Sequence, residues 1–117
     1  MRLMDDAWIM AATAWLTDAV AALPTAAHGT RLSVSEEITD GPVDGWWFAI
    51  DVPRVTTGPG PNPGAELQAV GDYAQALVAA RTVYPTAVAD TLVSVPVPLR
   101  ALLIELHNHM AAAVSGG

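Results

Sequence analysis

Between residues 31 and 55, apolar and polar side chains alternate with a period of two in two runs. Leu32, Val34 and Ile38 alternate with Ser33, Ser35 and Glu37; Trp46, Phe48, Ile50 and Val52 alternate with Trp47, Ala49, Asp51 and Pro53. The turn-forming stretch Thr-Asp-Gly-Pro-Val-Asp-Gly separates them, so the pattern predicts a β-hairpin. One face of this ribbon is apolar, and a two-stranded ribbon is marginal alone in water, so helices must cover it. The alternation also puts Glu36 on the apolar face, where a carboxylate needs a partner such as Arg54 or Arg81. Trp46 and Trp47 send their indoles to opposite faces.

Helical spacing surrounds the hairpin. In the N-terminal apolar segment, Ile9, Ala12, Leu16, Ala19 and Leu23 form one flank, and Met4, Trp8, Ala11, Trp15 and Ala22 an adjacent one. Arg2, Asp6, Thr13 and Thr17 share a polar ridge. The apolar arc is wider than the roughly 100° stripe that one core contact needs, so the flank carrying Trp8 and Trp15 is available to a second subunit. Pro24 and Gly29 end this helix. Residues 57–64, rich in Gly and Pro, predict a rigid exposed loop. A second helix is expected from about Pro63 to Tyr84, with Leu67, Val70, Ala74, Leu77, Val78 and Arg81 on one stripe and Gly71 within it. Pro85 interrupts it, and residues 86–93 fit either a short helix or a strand. A last helix begins near Pro98, which suits a first turn, with Leu99, Leu102, Leu103, Leu106 and Met110 facing inward. The predicted order is α-β-β-α-(α or β)-α. That describes an α+β fold in which a small antiparallel sheet is covered by three or four helices, and the length implies one domain over 1–117.

Composition narrows the function classes. Charged residues are only 15% of the chain, against roughly 25% in ordinary globular domains. So sparse a charged surface predicts burial against other subunits or a partner protein. The five basic residues are all arginine, scattered along the chain, and the net charge is −7. No basic stripe is available to neutralise a phosphate backbone, which excludes direct nucleic-acid binding. Lysine-free, Ala-rich usage points to a GC-rich coding sequence of bacterial or phage origin. With no cysteine, thiol catalysis, disulfides and thiolate-bound metals are excluded. The N-terminal apolar run does not read as a signal peptide, because Asp5 and Asp6 outweigh Arg2. Asp18 within it would cost roughly 2.5–3.5 kcal/mol near a bilayer centre. No membrane partner is expected, and the expected location is cytoplasmic, or the virion if the chain is phage-encoded.

Candidate chemistry is thin. His107-Asn108-His109 shares its letters with a nuclease motif but lacks the ββα context and basic surroundings that such a site requires. On a helix the two imidazoles lie about 160° apart and cannot share a metal; Glu105 and His109 are better placed for a surface ion pair. His28 is expected to cap carbonyls at a helix end. Glu36, Glu37, Asp40, Asp44 and Asp51 cluster on the hairpin without the spacing of a calcium loop and read as a solvated acidic tip. Nucleophile-elbow, phosphate-loop and dinucleotide motifs are absent. Catalytic residues, metal ligands and cofactors are therefore not assigned. The interface candidates are Trp8, Trp15 and Trp47, tryptophan being enriched at binding hot spots. The expected function is that of a non-enzymatic interaction or assembly protein (a chaperone, an inhibitor, or a virion neck or tail component), acting as a homo-oligomer or on another protein. The alternative is a small enzyme or ligand-binding domain with a pocket between hairpin and helices.

Overall fold

The computed structural model of the chain describes residues 1–114. Its elements run α1 (Asp6–Ala21), β1 (Arg31–Ile38), β2 (Gly45–Asp51), β3 (Arg54–Pro59), β4 (Leu67–Gly71), α2 (Tyr73–Arg81) and α3 (Val97–Ala111), with short 3-10 turns at Thr25–Ala27 and Thr86–Thr91. The architecture is α+β. The predicted hairpin forms as β1–β2, with Leu32 opposite Ile50, Val34 opposite Phe48 and Glu36 opposite Trp46. Trp46, Phe48, Ile50 and Val52 are all buried on the helix-covered face, together with Leu32 and Ile38.

The sheet is larger than a hairpin and is not purely antiparallel. Its order is β3-β2-β1-β4, and β4 pairs parallel to β1. Two sequence expectations are corrected here. Residues 57–59 belong to β3, which pairs with β2 after the Val52-Pro53 turn. Residues 67–71 are a strand rather than the first turns of a helix, so α2 begins only at Tyr73. Asp72 sets that start: its Oδ1 accepts from the Gln75 N–H at 2.8 Å, and Asp40 Oδ1 accepts from the Tyr73 N–H at 3.0 Å. Residues 86–91 settle as a 3-10 turn.

β3 and β4 lie at opposite edges, so residues 60–66 must cross the sheet. They do so on the side away from the helices. Ser35 Oγ accepts from the Asn62 N–H at 2.8 Å, and Ser33 Oγ accepts from the Glu66 N–H at 2.9 Å. Strand alternation aims these hydroxyls outward, where they satisfy backbone donors that a proline-rich crossing has no ladder to satisfy. Trp47 shares this outer face. It lies across Gly58, where an added Cβ would come within 2.5 Å of the indole Nε1.

Helices cover the other face. Asp5 Oδ1 caps α1 by accepting from the Trp8 N–H at 2.8 Å. Ala12, Leu16 and Val20 are fully buried. Thr13, expected on a solvent ridge, instead packs toward β3 with its Oγ1 2.8 Å from that of Thr57. α3 buries Leu99, Leu102, Leu106 and Met110. In contrast, α2 buries no residue fully and meets the rest of the fold chiefly through α3. It is held at its ends: Asp40 binds its first turn, and α3 binds the chain just beyond its last. No helix of the described residues is long and apolar enough to cross a membrane.

Candidate ligand-binding cleft

Because α2 stands off the sheet, a cleft of about 800 Å³ lies between the β1–β4 half of the sheet and the α2 and α3 helices. Small-molecule sites run from roughly 300 to 1,000 Å³. Its floor is built by inward positions of three strands: Val34, Glu36 and Ile38 of β1, Phe48 and Trp46 of β2, and Leu67 and Ala69 of β4. Ala76 and Ala80 of α2 and Leu103 of α3 form the opposite wall. Ala69 is exposed although it sits on the helix-facing side, so the cleft opens to solvent along β4.

Glu36 is the one acidic side chain that strand alternation aims into this apolar floor. It lies between Trp46 on β2 and Ala69 on β4 in the sheet register. The expected pairing with Arg54 or Arg81 does not occur: among the described residues no ion pair forms with Glu36. Apolar neighbours crowd the half-buried carboxyl, and this desolvation raises its pKa above the usual 4.5. The Trp46 indole N–H nearby acts in the opposite sense by favouring the ionised form. That N–H does not reach good hydrogen-bond geometry, for Nε1 of both Trp46 and Trp8 is buried without a partner. The two rings meet edge to face, with centroids 4.9 Å apart, an arrangement that holds both at the cleft floor.

The far wall is pinned by residues that the sequence reading set aside. Asn108 makes a reciprocal pair with the Tyr84 backbone, donating to its carbonyl at 2.8 Å and accepting from its N–H at 2.9 Å. His107 Nε2 is 2.7 Å from the Thr82 carbonyl oxygen, and its ring lies 4.9 Å from that of Tyr84. The His-Asn-His segment thus fastens the chain after α2 to α3. An asparagine at the half-buried edge of a leucine stripe was the available signal, since a buried amide needs partners.

The remaining candidates are dispersed. Trp8 is 5% exposed; it lies inside the cleft, which corrects its placement on an outward flank. Trp15 is half-buried and stacks on His109 at 5.7 Å, so His109 pairs with an indole rather than with Glu105. Trp47 is half-buried on the outer face of the sheet. His28 is exposed, and the helix-end bond there is made by its backbone N–H to the Thr25 carbonyl at 3.0 Å. The hairpin carboxylates separate: Asp51 pairs with Arg31 at 3.4 Å, Asp40 caps α2, and Glu36 enters the cleft. Among the described residues no three His, Asp or Glu side chains gather as a metal ion would need. Comparison with protein-family models, curated proteins and solved structures finds no match to this chain.

Proposed function

We propose that the chain is a ligand-binding domain whose cleft takes a small, largely apolar molecule. The observation that carries this reading is an open apolar cleft of about 800 Å³ with a single carboxylate, Glu36, in its floor. A tightly packed domain of this size leaves few voids larger than a water molecule, so a space this large and continuous with solvent needs an explanation other than imperfect packing. The test is titration with Nile red, a neutral dye whose emission rises in apolar surroundings. The wild-type protein is expected to bind it saturably. Ala69→Trp, which fills the mouth from an exposed edge-strand position, is expected to weaken binding by about tenfold while melting at the wild-type temperature. Equal binding by the two proteins would overturn the reading.

A second reading, association with another copy or a partner protein, draws on a different observation. Val70, Val78, Val83, Val93 and Val97 are all exposed, Val93 by 79%. Scattered surface valines are ordinary, so this supports association less strongly than the cleft supports ligand binding.

A further inference from the structure

We infer that the cleft selects organic cations, a small amine carrying an apolar body, with Glu36 as the anchor for its ammonium group. This rests on the ligand-binding reading above and names the class of ligand. The argument starts from charge. The titratable side chains in the lining are Glu36, Glu37, Tyr84 and His107; none of the five arginines lines it. Glu37 alternates to the other face of β1, His107 is engaged with the Thr82 carbonyl, and the Tyr84 ring packs beside His107 on the far wall, which leaves Glu36 as the carboxyl aimed at the cleft floor. A desolvated carboxylate without a basic partner is costly, and an incoming ammonium supplies the missing charge through a short charge-assisted hydrogen bond.

Aromatic placement points the same way. Trp46 is directly opposite Glu36 across the β1–β2 ladder, Trp8 packs edge to face on it, and the Phe48 ring lies tilted against it with centroids 5.1 Å apart. Aromatic faces beside a carboxylate attract a cation and repel an anion. The net charge of −7 draws cations toward the molecule and discourages carboxylate or phosphate ligands. The apolar remainder of the lining takes the rest of the ligand. Burial also raises the pKa of Glu36, as expected for a carboxyl whose counter-charge arrives only with a ligand.

The experiment is calorimetric titration near neutral pH with 2-phenylethylamine and with 2-phenylethanol, its neutral counterpart of equal size. The amine is expected to bind the wild-type protein about tenfold or more tightly than the alcohol, the difference a charge-assisted bond supplies. Glu36→Gln is expected to bring the two compounds to within about twofold of each other. Equal affinities for wild type, or an amine preference that survives Glu36→Gln, would overturn the inference while leaving the cleft a ligand site. Failure of both compounds to bind or to displace Nile red would overturn the underlying reading as well. N-acetyllysine methylamide presents the same ammonium on a peptide; if it binds more tightly than the free amine, the ligand is a protein segment and the small-amine assignment fails.

Discussion

Glu36 shows how one residue couples the fold to its chemistry. The period-2 pattern predicts its inward face, and the structure bears that out, but the arginine partner inferred for it is missing. Strand alternation reveals which way a side chain points; it does not reveal what stands opposite when the opposing element is another part of the chain. The cost of the arrangement has a defined pH dependence. Burial raises the folded-state pKa of Glu36 above 4.5, so the folded protein holds this proton more tightly than the unfolded chain. Stability from this group is therefore present below the unfolded value and is lost as pH rises through the folded one. Glu36→Gln should raise the melting temperature at neutral pH, and the gain should shrink toward zero as pH falls to about 4. Comparing the two proteins at each pH cancels every contribution that they share, leaving that of Glu36. A gain that stays constant across that range would show that Glu36 titrates alike in folded and unfolded chains.

At the scale of elements, the hairpin and the first and last helices were legible because each carries its own periodicity over two turns or more of pattern. β4 was not. Leu67 and Val70 happen to stand at helical spacing, a five-residue strand is too short to display alternation, and the partner that makes it a strand lies at residues 34–38. Asp72 was the overlooked signal, a capping residue that starts a helix where continuous helix was expected. β3 was hidden by the glycines and prolines that follow Thr57, although Val55-Thr56-Thr57 is a β-branched run. The two faces of β2 provide a test of how these elements are used. Phe48, 4% exposed, should cost about 3–5 kcal/mol when replaced by alanine. Trp47, half-buried over Gly58, should cost less when truncated, and its loss should lower the mass of any oligomer if the outer face is where copies meet. Thermal melting and light scattering on Phe48→Ala and Trp47→Ala separate these outcomes. Equal destabilisation with unchanged mass would make both faces intramolecular core and remove Trp47 from consideration as an anchor.

Over the whole molecule, burial is unevenly shared. The β1–β2 ladder, α1 and α3 form one packed body, whereas α2 buries no residue fully, rests on that body only through half-buried side chains such as Ala76 and Leu77, and roofs the cleft. The arrangement was beyond the reach of sequence reasoning, because alanines such as Ala76 and Ala80 fit a tightly packed helix as well as one that stands apart. A helix that buries no residue fully implies a hierarchy of amide protection. Backbone hydrogens of α2 need only local opening to reach solvent, while those of β1 and α1 wait for far larger disruptions. Deuterium exchange followed by mass spectrometry should find the α2 amides exchanging at least about tenfold faster than those in the middle of α1. Uniform protection across the two helices would mean that α2 opens only with the rest of the molecule. If the hierarchy holds, exchange at α2 counts how often the helix parts from its neighbours, and that frequency sets a ceiling on how fast molecules too bulky for the resting mouth can pass in and out.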